Sequence, residues 1–423
     1  MTGTRELRES RSRDRLRLRA SLVLLGGAGM GSTALIVSVT VTALVAENIA
    51  GDVTWSGVPV AALVLGTAVG TSLLAIAMTR WGCRSSLATF YVAAGLGAFL
   101  ACTATGMASL PLLIAGAFVV GLGNSANALT RYVAADLQSP ERRATTLGWI
   151  VWAGTIGAVI GPNLLSPSDR VGVSVGLPSL AGAYLVSGLI FLGAAVFYVL
   201  FLRPDPSLLS VPFEVNTVPR AGIATSTTQL FRPPQVQVSI VTLVFSHAVM
   251  VLIMTMTPLH LKAAGHGLDV IGLVASSHIV GMFLFAPLTG LLVDRVGSSR
   301  IIIIGQALLL LSTLGGMVVP SSSVLWVGAT LFLLGLGWNF GFVAGSSSLT
   351  RDIPTADRAW LQGRTDSIVW VSAAAASLLS SVLFSTVGFA GLSAFGAVAV
   401  LVALGTITIF QRKVASSIAD IAK

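Results

Sequence analysis

Histidine and methionine side chains are concentrated in one stretch of an otherwise apolar chain. Residues 246–282 contain all four histidines and four of the nine methionines of the 423-residue sequence. Met250 and Met254 are four residues apart, as are His278 and Met282, so each pair shares one face of a helix. Thioethers and imidazoles are soft and borderline ligands, which suit Cu(I) far better than Mg²⁺ or Ca²⁺. The pattern therefore indicates a candidate copper-binding set.

The same stretch contains further candidate residues. A hydrophilic break at 262–269 predicts two helices that run antiparallel on either side of it. At about 1.5 Å per residue, His247 and Met282 both lie roughly 21 Å below the outer helix ends. This shared depth adds His247 to the ligand set, whereas His260 and His266 would stand at the outer mouth. The arrangement predicts a ladder of soft ligands that passes an ion inward.

Packing is the alternative role for these side chains. A methionine in a transmembrane helix usually fills space or contacts lipid. A single buried histidine more often satisfies a backbone carbonyl than binds a metal. What favours metal binding is the joint occurrence of Met-x3-Met and His-x3-Met on two consecutive helices at similar depth.

The elements that must position these residues are membrane-spanning helices. The chain is 54% hydrophobic and 10% charged, with a mean hydropathy of +0.90, which is outside the range of soluble domains. We therefore predict an all-α membrane protein with twelve transmembrane helices. Apolar runs long enough to cross a bilayer core of about 30 Å occur at 21–46, 57–79, 85–106, 109–130, 144–165, 176–201, 235–261, 270–293, 301–319, 324–350, 366–388 and 390–411.

The positive charges predict how the helices are oriented. The net charge is +9, and seven arginines lie within residues 5–19. With the N-terminus inside, the cytoplasmic segments hold 23 of the 25 Lys and Arg residues. The positive-inside rule then predicts a multi-pass protein of the cytoplasmic (inner) membrane with both termini in the cytoplasm. The expected partners are the lipid bilayer and a transported substrate, and this distribution argues against nucleic acid.

An internal repeat divides the predicted helices into two bundles. Three short segments recur at an offset of 214 or 215 residues: 79–82 as 294–297, 121–123 as 335–337, and 143–148 as 358–363. Such a parallel repeat is typical of transporters built from two similar halves. The predicted organisation is a cytoplasmic Arg-rich tail at 1–20, an N-terminal six-helix bundle at 21–202, a cytoplasmic linker at 203–234, a C-terminal six-helix bundle at 235–411, and a cytoplasmic tail at 412–423.

Two motifs resemble those of the major facilitator superfamily. The loop after the eighth run reads Gly290-Leu-Leu-Val-Asp294-Arg295-Val-Gly297-Ser-Ser-Arg300, and the fifth run contains Gly157-Ala-Val-Ile-Gly161-Pro162. The resemblance implies two pseudo-symmetric six-helix bundles, transport by alternating access, no prosthetic group, no catalytic residues and a monomer. It also implies that Asp294 and Arg295 pair across the cytoplasmic gate in one state and separate in the other.

The resemblance is incomplete in the first half of the chain. Thr79 stands where the superfamily carries an aspartate, and Ala117 and Phe118 stand where it commonly carries an arginine. Glu47 and Asp366 are carboxylates within or at the edges of the apolar runs, and both fall near a membrane surface. A conventional proton relay through the bilayer centre is therefore not predicted.

The paired histidine and methionine motifs also resemble the CcoA-type copper importers of that superfamily. This resemblance implies that Met250, Met254, His278 and Met282 bind copper as a transported substrate, which would enter the cytoplasm. We therefore predict a copper importer. Two alternatives stay open: a transporter of a small organic solute, by riboflavin-like vitamin import or drug-like efflux, and a membrane receptor that senses metal without transporting it. No catalytic motif supports an enzyme.

Overall fold

The computed structural model shows a helical chain. It describes residues 2–137, 154–209, 230–320, 322–349, 351, 353 and 355–421. Within these residues no strand occurs, and ten helical segments are long and apolar enough to cross a membrane. The prediction of an all-α membrane protein is therefore confirmed.

The helices are α1 (Thr2–Ala50), α2 (Gly57–Trp81), α3 (Cys83–Gly106), α4 (Leu110–Asp136), α5 (154–163), α6 (Leu165–Ser174), α7 (Ala181–Phe201), α8 (Pro234–Ala263), α9 (Leu268–Phe283), α10 (Ala286–Val296), α11 (Ser298–Val318), α12 (Val324–Leu349) and α13 (Thr355–Ile421). Helix α13 contains the last two predicted runs. Gly388 separates them, because its φ of 67° is not helical.

The described residues form two compact units. The N-terminal unit comprises Met1–Ala50 and Ala62–Asn216, and the C-terminal unit comprises Gly51–Ala61 and Thr217–Lys423. The start of α2 therefore belongs to the C-terminal unit, where the Ser377 hydroxyl donates to the Gly57 carbonyl at 3.0 Å. Most of the predicted linker lies at 210–229, outside the described residues, so the predicted domain boundaries stay a prediction.

Buried aromatic residues form the centre of the N-terminal unit. Tyr91 of α3 and Tyr198 of α7 are fully buried, with ring centroids 5.5 Å apart. The Tyr91 hydroxyl donates to the Gly27 carbonyl at 3.3 Å, and the Tyr198 hydroxyl donates to the Leu24 carbonyl at 3.2 Å. Because a buried phenol without a partner is costly, these bonds favour the packing of both helices on α1.

Helix α12 occupies the centre of the C-terminal unit. Helices α9 and α11 pack along it, and α8 packs against both α12 and α13. Gln306 of α11 is fully buried and donates to the Ser246 hydroxyl of α8 at 2.8 Å. Helix α12 therefore stands between the two helices that carry the candidate histidines and methionines.

Close glycine contacts recur at equivalent positions in the two units. Each glycine lies so near a neighbouring helix backbone that a Cβ would overlap it. The contacts correspond one to one: Gly121 with Leu63 and Thr67, Gly335 with His278 and Met282, Gly123 with Phe90 and Ala94, and Gly337 with Gly305 and Leu309. Equivalent residues are 214 or 215 positions apart, which confirms the predicted repeat.

The eighth predicted run, 270–293, lies within one candidate membrane span, Leu268–Val296, but the helix is interrupted inside it. Helix α9 ends at Phe283, and α10 begins at Ala286. Pro287 lies in the first turn of α10, where its missing N–H and its ring interrupt the helical hydrogen bonds. Hydropathy alone does not detect this interruption, because proline is not a charged residue.

The gap between the fifth and sixth predicted runs, 166–175, is mostly helical. Helix α5 ends at residue 163, near the predicted end at 165, but the separate helix α6 then occupies Leu165–Ser174. Residues 138–153 lie outside the described part. Asp169 lies within α6, and its carboxylate accepts the backbone N–H of Leu180 just before α7. Hydropathy ends the predicted run at residue 165, whereas the helical hydrogen bonds of α6 continue past Asp169.

Replacing Gly335 tests the contact between α9 and α12. Gly335→Ala would place a methyl group against the His278 carbonyl, and overpacking of this kind costs about 1–3 kcal/mol. We expect a lower melting temperature in detergent. The matched control is Gly405→Ala on α13, where a Cβ meets nothing within 4 Å and alanine improves helix propensity. An equal or higher melting temperature for Gly335→Ala would contradict the close contact.

Candidate functional site

Helix α8 places three of the predicted ligands along one side. His247, Met250 and Met254 are three and four residues apart, which keeps them close to one face. Met250 is 7% exposed, and His247 and Met254 are half-buried. Lys262, at the end of α8, is the only charged residue of this helix.

His247 is held by two tryptophans. The Trp338 indole N–H donates to His247 Nδ1 at 3.0 Å, and the His247 ring lies 5.4 Å from the Trp370 ring in an edge arrangement. Since an indole can only donate, His247 Nδ1 accepts, and the neutral imidazole carries its proton on Nε2. In this arrangement His247 presents an N–H donor. It would have to lose the Trp338 bond before it could offer Nδ1 to a metal.

His278 has the opposite arrangement. Its side chain is 2% exposed, and Nδ1 lies 3.0 Å from the Leu331 carbonyl of α12. A carbonyl can only accept, so Nδ1 carries the proton and Nε2 has a bare lone pair. Nε2 is buried without a hydrogen-bond partner among the described residues. An imidazole oriented by a backbone carbonyl in this way is what a metal-binding histidine requires.

Met282 is positioned through its backbone. The Asn339 side-chain amide donates to the Met282 carbonyl at 2.6 Å, and the Thr289 hydroxyl donates to Asn339 Oδ1 at 2.5 Å. The Met282 side chain is half-buried. These bonds, together with Gly335, fix α9 against α12.

The described residues contain no group of three or more His, Cys, Asp or Glu side chains that could hold a metal. A copper site would therefore depend on His278 Nε2 and on thioethers. Helix α9 carries one charged residue, Asp269 in its first turn, and α12 carries none. A cation at this level would find no carboxylate on α8, α9 or α12 to compensate its charge.

Sequence reasoning missed a cluster of aromatic side chains around Trp338. This aromatic cluster consists of Phe283, Trp338, Phe342 and Trp370 together with His247. Trp338 and Phe342 stack with centroids 4.8 Å apart and planes 12° from parallel. Their spacing of four residues on the tenth run was a signal in the sequence, but the contribution of α8 and α13 was not. Trp338 is 6% exposed, whereas Phe342 is 38% exposed.

The two histidines predicted at the entrance differ in their surroundings. His260 stacks on Phe389 of α13, with centroids 4.1 Å apart and planes 8° from parallel. The pair lines a small pocket of about 10 Å³ within the C-terminal unit, which Ser393 and Leu331 also line. His266 is half-buried in the turn between α8 and α9.

The gating motif surrounds the turn between α10 and α11. Gly297 has a φ of 90°, a backbone conformation that favours glycine and that separates the two helices. Asp294, Arg295 and Arg300 are exposed, and Gly290 is half-buried with open space around it. The side chains of Asp294 and Arg295 form no hydrogen bond or ion pair in the described part of the chain. Their predicted pairing across a gate stays a prediction.

The fifth-run motif packs against α1. Gly157 lies against the Gly29 carbonyl with no room for a Cβ, and a Cβ at Gly161 would lie 2.9 Å from the Thr33 carbonyl. Pro162 is buried in the last turn of α5. The motif therefore permits close approach of two helix backbones.

Known proteins are similar to this sequence over most of its length. The profile of the Major Facilitator Superfamily matches residues 22–271. YddS of Bacillus subtilis (strain 168), described as an uncharacterized MFS-type transporter, is 34% identical over 395 residues, which cover 92% of this chain and 89% of YddS. The riboflavin transporter RfnT of Brucella anthropi is 26% identical over 372 residues, which cover 87% of this chain and 89% of RfnT.

Solved transporter structures share the fold. The inward-open xylose transporter XylE from E. coli has a TM-score of 0.66 at 17% identity and covers 93% of this chain and 95% of its own. A bacterial homolog of the lysosomal transporter Spinster has a TM-score of 0.70 at 13% identity and covers 95% of this chain and 97% of its own. The resemblance to CcoA-type copper importers stays a prediction. The broader resemblance is confirmed, and the chain belongs to the major facilitator superfamily.

Proposed function

We propose that this transporter moves a small neutral organic solute with a flat heteroaromatic ring, of the riboflavin type, across the cytoplasmic membrane by alternating access. The observation that carries the proposal is the aromatic cluster around Trp338, which lies on a helix without charged residues. The similarity to the riboflavin transporter RfnT along most of both chains supports the same class of solute.

The members of the aromatic cluster would have different roles. Trp338 is nearly buried, and it holds His247 by a hydrogen bond and Phe342 by stacking. The more exposed Phe342 offers a ring face, and aromatic pairs of this kind contribute about 0.5–1.5 kcal/mol beyond area burial. His247 Nε2–H offers a donor for a ring carbonyl or ring nitrogen of the solute.

Alternating access requires a part of the protein with two discrete arrangements. The exposed Asp294 and Arg295 beside Gly297 are available for contacts that form in one arrangement and break in the other. The positive-inside distribution supports an orientation with both termini in the cytoplasm. We further propose that the protein acts as a monomer, because each chain carries both repeats.

Copper import is a second candidate function. The observation that favours it is the buried lone pair of His278 Nε2, with the thioethers of Met250, Met254 and Met282 on the same two helices. Neutral soft ligands would hold Cu(I) as a transported substrate. The absence of a nearby carboxylate on α8, α9 and α12 and the occupied Nδ1 of His247 weigh against this candidate.

The aromatic cluster can be tested by transport into proteoliposomes. We expect Trp338→Ala to reduce the initial rate of riboflavin uptake at least roughly tenfold, because its removal releases both His247 and Phe342. The matched control is Trp326→Ala, because Trp326 is 61% exposed and lies outside the cluster. Uptake by the wild type no faster than by empty liposomes would refute riboflavin as the solute. Equal rates for Trp338→Ala and wild type would refute the role of the cluster.

The two candidate substrates can be separated at His278. In His278→Asn, the side-chain amide replaces Nδ1–H as the donor to the Leu331 carbonyl and removes Nε2. For an organic solute, we expect riboflavin uptake within about twofold of wild type. We also expect the copper content of copper-limited cells to stay at the empty-vector level for wild type and variant alike. Copper accumulation that the wild type and the control Trp326→Ala show, and that His278→Asn lacks, would instead establish the copper candidate.

A further inference from the structure

Two asparagines of the N-terminal unit lie one helical turn apart in a span without charge. Asn124 and Asn127 are three residues apart on α4, so their side chains share one face. The Asn127 amide donates to the Ser32 hydroxyl of α1 at 2.9 Å, and the Asn124 amide donates to the Thr67 hydroxyl of α2 at 3.4 Å. Both asparagines are half-buried, whereas Ser32 and Thr67 are buried.

Most of the hydrogen-bonding capacity of the two amides is unused. Each side chain has two N–H donors and one carbonyl acceptor. In the part of the chain that the structure describes, each amide makes the one bond given above, which leaves an N–H and the carbonyl oxygen of both residues. Polar groups at membrane depth are costly without partners, so these free groups require water or a ligand.

Helix packing does not account for the two asparagines. The contact of α4 with α2 is already made by Gly121, which lies against the backbone of Leu63 and Thr67. Gly123 makes the corresponding contact with α3. The amides lie beside this close backbone packing and are not needed to close it.

The internal repeat relates these residues to the aromatic cluster. The offset that aligns Gly121 with Gly335 also aligns Asn124 with Trp338. An offset of 215 residues aligns Ser32 of α1 with His247 of α8. Each unit thus carries one side-chain hydrogen bond between equivalent helices, from Asn127 to Ser32 and from Trp338 to His247. At position 338 the C-terminal unit carries an indole ring, and at the equivalent position 124 the N-terminal unit carries an amide.

We propose that Asn124 and Asn127 form a subsite that binds the imide edge of the transported solute. An imide presents an N–H between two carbonyl oxygens, as the flavin ring does. A carboxamide can donate to one such oxygen and accept from the N–H, which is the bidentate geometry that asparagine uses on nucleobase edges. Two carboxamides one turn apart can bind the donor and both acceptors. This inference rests on the proposed transport of a flavin-like solute and identifies the part of the solute that is recognised.

The test measures binding of riboflavin and 3-methylriboflavin to the purified full-length protein in detergent, by quenching of flavin fluorescence. The N3-methyl group removes the imide N–H and leaves the ring face intact. We expect wild type to bind 3-methylriboflavin roughly tenfold more weakly than riboflavin. Asn124→Ala and Asn127→Ala should each weaken riboflavin binding by a similar factor and abolish the discrimination between the two flavins.

The control is Asn163→Ala on α5, which removes an exposed amide whose side chain donates to the Val159 carbonyl. This variant should retain both wild-type affinities. Riboflavin binding that neither the asparagine variants nor the N3-methyl group weakens would overturn the subsite and leave the proposed function intact. Failure of the wild type to bind any flavin would overturn the proposed function together with the subsite. The comparison of the two flavins on wild type gives a result even if a variant does not fold.

Discussion

The contact between α9 and α12 is the constraint on which the candidate site depends. Gly335 brings the backbone of α12 against the His278 carbonyl and the Met282 N–H, with no room for a side chain between them. At that separation the His278 imidazole reaches the Leu331 carbonyl, and Asn339 reaches the Met282 carbonyl. The close backbone approach therefore determines which ring nitrogen of His278 carries the proton.

The hydrogen bonds of the two histidines determine which candidate substrate each imidazole can bind. Each imidazole uses Nδ1, but His247 accepts there and His278 donates there. His247 is left with an N–H that suits a carbonyl-bearing solute, whereas His278 is left with a lone pair that suits a soft metal. The half-buried His247 belongs to the aromatic cluster, and the nearly inaccessible His278 lies against α12. The lack of a carboxylate on α8 and α12 then favours a neutral solute over a cation.

The two repeats share a backbone arrangement and differ in the side chains that it carries. Leu63 and Thr67 on α2 occupy the positions of His278 and Met282 on α9, against equivalent glycines. Glycine contacts preserve the spacing of the helices in both units, so the intervening side chains were free to diverge. The result is an aromatic and imidazole surface in one unit and a hydroxyl and amide surface in the other.

The sequence by itself determined the membrane class, the apolar runs, the repeat and the superfamily, because these depend on composition, hydropathy and short motifs. The tertiary structure decided where helices end and what each polar atom contacts. Pro287 interrupts the eighth run, and α6 continues past Asp169, because helix termination depends on backbone hydrogen bonds as well as on hydropathy. The spacing of His247 and His278 showed only that they share faces with methionines. Their protonated nitrogens depend on Trp338 and Leu331, which are distant in sequence and adjacent only after folding.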